Sequence, residues 1–167
     1  MKKAILLILV LALTVCAVAC AKKNDGASTE GGTTATGFGV TVNGTAVELG
    51  KDAAPVLAAL GTPTLSQEVF DCGEGNSRMF YRFGSLELYT MKSDGKEIID
   101  QIELNDDLVS TDKGICIGDT VEKVKTAYGE PQRGDEDDLV YVSGNQELTF
   151  EIDDGRVEEI GLLRVTR

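Results

Sequence analysis

The chain contains no histidine and no tryptophan, only 3 prolines, and aromatic residues make up 5% of it. Without histidine, neither a Ser-His-Asp or Cys-His nucleophilic site nor a His-ligated zinc site can be assembled. The 4 cysteines form no Cys-x-x-Cys pair, which removes the usual redox motif. The strongest apolar run, Ala4 to Thr14, falls short of the about 20 residues that a membrane-spanning helix needs. Basic residues are scarce as well. From Phe38 onward 26 Asp and Glu face 12 Lys and Arg, and such a field repels nucleic-acid phosphates and anionic surfaces. Nucleic acid is therefore not an expected partner.

What is present begins with an export signal. Lys2 and Lys3 precede the apolar run, and small residues follow it up to Cys20, the order of a secretory signal peptide. Ala17-Val18-Ala19-Cys20 resembles the bacterial lipobox, in which cleavage exposes a cysteine that then carries diacylglycerol. The same small-x-small segment also fits ordinary signal peptidase, which would release a soluble protein starting at Cys20. Cys16 is lost by either route, leaving Cys20, Cys72 and Cys116. An odd thiol in an exported chain asks for an explanation, and lipidation of Cys20 supplies one. Residues 1–19 are then a lipoprotein signal peptide. Residues 20–37 carry no apolar side chain larger than alanine before Phe38 and read as a flexible tether. Cys72 and Cys116 remain as a pair in an oxidising compartment. A bridge between them would add about 4 kcal/mol in the chain-entropy model; two buried free cysteines acting as small hydrophobes are the alternative.

The remaining chain repeats itself. Gly50, Val56, Gly61 and Pro63 each lie 68 positions before Gly118, Val124, Gly129 and Pro131. The spacing predicts a helix from Ala53 to Leu60 capped by Asp52, with Pro55 in its first turn and Gly61 as its stop. A second helix follows Asp119 as its cap, with Glu122 reaching back, and ends at Gly129. After each helix comes a three-strand pattern. Tyr81, Gly84, Leu88, Asp94 and Gly95 match Tyr141, Gly144, Leu148, Asp154 and Gly155 at an offset of 60. Ile99, Ile102 and Leu104 match Val157, Ile160 and Leu162 at an offset of 58, and their shared three-then-two spacing predicts a common β-bulge. The first copy has a longer Thr64 to Arg78 segment, and Asn43-Gly44 between β-branched residues predicts a hairpin ahead of both.

Leu148, Phe150 and Ile152 alternate with Glu147, Thr149 and Glu151, so one face of the sheet is expected to be covered and the other wet. With the helices as the cover, the expectation is an α+β fold of two tandem helix-plus-antiparallel-meander units, 38–110 and 111–167, with both helices on one face of the sheet.

Phe70-Asp71-Cys72, Tyr81, Phe83 to Leu88, Asp94-Gly95, Ile102-Glu103-Leu104 and Thr111 to Gly118 resemble a family of uncharacterised Firmicutes surface lipoproteins. Their duplicated units are similar to β-lactamase-inhibitor-protein-like (BLIP-like) and OmlA/BamE-type envelope lipoproteins. The resemblance covers about residues 45 to 162, implies that duplicated fold, and implies no catalytic residues and no cofactor.

No catalytic or metal-ligating set stands out. The runs Asp135 to Asp138 and Asp153-Asp154 lack the alternating register of an EF-hand and read as solvated loops. The expected role is a membrane-anchored, extracytoplasmic, non-catalytic module that binds an unknown envelope or secreted protein. Phe80, Arg82, Tyr89 and Met91 fall opposite the expected core and are side chains enriched at interface centres; Phe80 and Tyr89 packing under a loop or against the neighbouring unit is the alternative. A second possibility is an inhibitor or sequestering protein for a secreted hydrolase, with the Thr64 to Arg78 insertion as its protruding loop. Lipidation makes a direct prediction: Cys20→Ala moves the protein from the membrane pellet to the soluble fraction, and an unchanged distribution on fractionation refutes the anchor.

Overall fold

Asn43 and Gly44 both take positive φ, 50° and 81°, the backbone of the hairpin turn whose twist suits flanking strands. The computed structural model describes residues 37–70 and 77–165. It opens with β1 (Gly39–Val42) and β2 (Thr45–Glu48) on either side of that turn. Helix α1 (Ala53–Leu60) follows, with the Asp52 carboxylate accepting a hydrogen bond from the Ala54 N–H at 3.0 Å. The chain then lays down β3 (Leu65–Phe70), β4 (Ser77–Phe83), β5 (Leu86–Ser93), β6 (Lys96–Leu104) and β7 (Ser110–Thr111). After α2 (Val121–Tyr128) come β8 (Arg133–Gly134), β9 (Asp138–Ser143), β10 (Gln146–Asp153) and β11 (Arg156–Arg164).

The expected α+β class of two helix-plus-meander units is wrong. Among the described residues the protein is mostly β, with 54% strand against 13% helix. Eight strands form one antiparallel sheet in the order β3-β4-β5-β6-β11-β10-β9-β8, and β2-β1-β7 form a smaller sheet. The physical reason is length. An eight-residue helix is about 12 Å long, whereas eight strands spaced about 4.8 Å apart make a sheet nearly three times as wide. Two such helices cannot cover it, and the small sheet completes the cover. Val40 and Val47 join Ala53, Val56 and Val124 in the same core as Leu88, Ile102, Phe150 and Ile160. Two strands, β3 and β8, are also added to the expected pattern, one at each edge.

Repeated residues make repeated anchors. Gly50 N–H donates to Ile99 O and Gly118 N–H to Val157 O, both at 2.8 Å, while the Ile99 and Val157 amides return to Lys51 and Asp119 carbonyls at 2.9 Å. The predicted bulge is present in both places: register slips between Tyr89 and Thr90 opposite β6, and between Glu151 and Ile152 opposite β11. Asp100 and Glu158 are the extra residues. The helix stops also match, with Gly61 and Gly129 at φ 86° and 85°, where a side chain would be strained.

One cap differs from expectation. Thr120, not Asp119, caps α2, its hydroxyl accepting from the Lys123 N–H at 3.3 Å. Asp119 sits one residue too early and instead accepts from the Cys116 N–H at 2.9 Å and pairs with Lys123 Nζ at 2.6 Å.

Phe150 is fully buried and lies with Tyr128 and Tyr141 at ring separations of 5.3 to 5.9 Å. Its truncation removes the centre of that cluster. Phe150→Ala should destabilise the fold by about 3–5 kcal/mol, whereas Phe70→Ala, at a side chain 72% exposed, should change stability by less than about 0.5 kcal/mol; urea unfolding of both variants checks the contrast.

Candidate functional site

Strand alternation and register place the uncovered face residue by residue. Leu88, Ile102, Leu162, Leu148 and Tyr141 stand in one cross-strand row on the core side. Their neighbours in each strand point the other way. One open row reads Leu65, Arg82, Glu87, Glu103, Gly161, Thr149 and Val140. The next reads Gln67, Phe80, Tyr89, Gln101, Leu163, Glu147 and Val142. On the other side of the first row, Glu159, Glu151 and Asp138 oppose one another across β11, β10 and β9.

The predicted patch residues come together on the half of this face made by β4 and β5. Phe80 and Tyr89 are direct cross-strand partners with ring centroids 5.0 Å apart, and the Arg82 guanidinium lies 5.4 Å from the Phe80 ring. Arg78 stacks on Tyr89 at 5.2 Å, faces Met91 across the strands and donates to Gln101 at 3.0 Å. Arg82 also pairs with Glu87 at 2.8 Å. These groups satisfy one another so fully that Phe80 keeps only 4% of its surface, although it lies outside the main core.

The other half is different, and sequence reasoning missed it. Val142 and Leu163 each keep 40% of their surface, and both stand beside Glu147, which pairs with Arg133 at 2.6 Å on the outer side. Glu87 faces Glu103, and Glu151 faces Glu159, an arrangement in which like charges repel. Burial pushes the Glu103 carboxyl above its ordinary value; a hydrogen bond from Gln101 opposes this, and Glu87 and Glu159 reinforce it. Glu159 is raised in the same sense by burial and by Glu151, Glu158 and Glu87. Among the described residues, no lysine or arginine forms an ion pair with Glu103, Glu151 or Glu159. Between them lies Gly161, where an added Cβ would meet nothing within 4 Å. The alternation of Glu147, Thr149 and Glu151 was visible in the sequence. The β6–β11 pairing that sets Glu103 against Gly161 was not, because nothing local encodes it.

Other candidates carry less. Cys116 is a free thiol whose pKa is raised by burial and by Asp119, 3.5 Å from its sulfur, the opposite of an activated nucleophile. Its expected partner Cys72 lies outside the described residues, as does the lipidation site Cys20. The Thr64 to Arg78 insertion supplies the edge strand β3, paired along its length with β4; residues 71–76 lie outside the described set. A cleft of about 150 Å³ lined by Gly39, Thr41, Ala46, Glu48 and Asp112 is well below the about 300–1,000 Å³ of small-molecule sites. No group of three or more Cys, Asp or Glu among the described residues is arranged to hold a metal ion. In the acidic loop, Asp135 and Asp138 carboxylates accept from the Asp137 and Asp135 amides at 2.9 and 3.2 Å, folding the loop on itself.

No protein-family model matches this chain, and no curated protein does. Among solved structures it is similar to a DUF4309 family protein (YjgB) from Bacillus subtilis, at 22% identity over 68% of this chain and 78% of that chain, with a TM-score of 0.38. At this TM-score the likeness assigns neither fold nor activity, and the lipoprotein and BLIP-like parts of the sequence resemblance gain nothing from it.

The raised Glu103 carboxyl fixes a sign. Folded Glu103 keeps its proton to higher pH than unfolded glutamate, so the native state binds more protons between the ordinary 4.5 and the raised value. Stability then falls as pH rises through that window. Glu103→Gln keeps an oxygen for Gln101 and removes the charge, so it should be more stable than the parent at pH 7, with the difference shrinking below about pH 4.5; denaturant midpoints at pH 4 and pH 7 test this.

Proposed function

We propose that this protein is a lipid-anchored extracytoplasmic module that performs no chemistry and captures a protein or envelope polymer on the open face of its large sheet. The observation that carries the reading is the asymmetry of that sheet. One face is sealed by two helices and a second sheet, while the other presents Val142, Leu163 and Leu65 as exposed apolar side chains among acids. Antiparallel sheets with one wet face are common, but a wet face that keeps several large apolar side chains exposed has surface suited to a partner. The signal segment, Cys20 and the polar stretch that follows would place this face outside the cytoplasmic membrane on a tether.

Blocking the face without changing its charge tests the reading. Gly161 has open space above it and a φ that other residues adopt, so Gly161→Trp fills the middle of the face and keeps the strand. Affinity capture from intact envelope should retain a partner on the parent and lose at least tenfold of it on Gly161→Trp, while Leu108→Trp, at an exposed loop position, retains it. Equal capture by the parent and Gly161→Trp, or capture of nothing by the parent, refutes the docking role.

A further inference from the structure

We infer that the half of the open face built by β6, β11, β10 and β9 receives a cationic, extended protein segment. Its lysine or arginine side chains would meet Glu103, Glu151 and Glu159, and its apolar side chains would rest on Leu163 and Val142. This rests on the docking role proposed above and specifies its partner. The first argument is the contrast between the halves. On β4 and β5 every glutamate and aromatic of the open face is met by Arg78 or Arg82. On β9 and β10 the equivalent positions lack those arginines: Arg82 corresponds to Val142 and Arg78 to Asp138, at the repeat offset of 60. Glu151 and Glu159, which stand where the first copy has Met91 and Gln101, face each other across β10 and β11 with no lysine or arginine paired to them among the described residues, and an external cation would relieve that repulsion.

The second argument is the apolar pair. Leu163 and Val142 flank Glu147 in one row, two residues along the strands from Gly161 and Thr149. A small polyamine would gain nothing from them, whereas a peptide's side chains would bury them. Spacing agrees: side chains on one side of an extended peptide repeat about every 6.6–6.8 Å, the same as successive rows of the sheet below. A peptide lying along the strands with the pattern basic-x-basic-x-apolar sets its cations over Glu159 and Glu103 and its apolar residue over Leu163. The absence of a Gly161 side chain gives that backbone room to approach. The charged groups facing this surface are Asp138, Glu147, Glu151, Glu158 and Glu159 from β9 to β11, Glu103 and Asp100 from β6, and Glu87, Arg82 and Arg78 from β5 and β4, Arg78 reaching Gln101 beside Glu103 and pairing with Asp100. Arg133 stands at the edge, tied to Glu147. Because Glu103 and Glu159 hold protons to higher pH than ordinary glutamate, affinity should weaken on acidification before other surface acids titrate.

The test uses the mature protein and a fluorescent peptide of two Lys-Ser-Lys-Ser-Leu repeats, followed by anisotropy at about 0.15 M salt, where distant charges are screened. The parent should bind it; Glu103→Gln/Glu159→Gln should bind at least tenfold more weakly, and Leu163→Ser severalfold more weakly. Asp106→Asn/Asp107→Asn, which removes the same charge from the loop after β6, should bind as the parent does. Equal weakening by the loop variant shows attraction by net charge alone and overturns the inference. Failure of the parent to bind overturns it, as does spermidine displacing the peptide at equal charge concentration. Envelope capture separates the two readings: a partner lost on Gly161→Trp but kept on Glu103→Gln/Glu159→Gln leaves docking intact and refutes a cationic segment.

Discussion

The structure depends on one seam, the antiparallel pairing of β6 with β11. Four residue pairs make it: Ile160 with Leu104, Gly161 with Glu103, Leu162 with Ile102 and Leu163 with Gln101. Every strand of the first half reaches the second only through this contact in the large sheet. On the core side it sets four fully or almost fully buried aliphatic side chains in two facing pairs. On the other side it sets a glutamate against a glycine at corresponding positions of the repeat. A second glutamate there would have placed two carboxylates face to face at the middle of the sheet, where like charges weaken pairing.

Around that seam the cover is assembled from short pieces, and side-chain clamps hold the pieces in place. Gln146 accepts from the Phe38 amide at 2.7 Å and donates to the Leu49 carbonyl at 3.3 Å, tying both ends of the β1–β2 hairpin to β10. Tyr128 stacks on Tyr141, Phe150 and Phe38 and donates to Asp112 at 2.8 Å, so one residue of α2 reaches the small sheet, its loop and the large sheet. The Tyr141 hydroxyl donates to the carbonyl of Gly129 at 3.0 Å, fixing the helix stop against β9. Short helices suffice because these bonds position them.

Local features were legible where local chemistry decides them. Asn43-Gly44, Asp94-Gly95 and Asp154-Gly155 all turn with positive φ at both residues, as their sequences require, and the bulges were visible because they break alternation in the same way twice. The cap of α2 was misplaced by one residue, since Asp119 and Thr120 are both good caps and tertiary bonding to Cys116 and Lys123 decides between them. The fold class was misjudged because helical periodicity reports that a helix exists but not whether it is long enough to roof a sheet. The sequence shows Phe80 beside arginines without showing that Arg82 and Tyr89 cover it, leaving 4% of its surface exposed. Glu103 and Gly161 looked ordinary until the long-range pairing put them side by side.

The two margins of the large sheet are unlike. Along β9 the outer backbone groups are occupied: Asp135 N–H binds Asp138 O, Gln132 N–H binds Val140 O, and the Gln132 side chain takes the Val142 N–H. Along β3 six residues with a single charge, Glu68, form the margin. The edge strand beyond β9 is β8, only two residues long, against six in β3 at the other edge. A strand added from another copy finds a template of useful length at β3 alone, and β3 against β3 closes on itself after two copies. The shortness of β8 therefore works against growth into fibres of a protein with an exposed sheet.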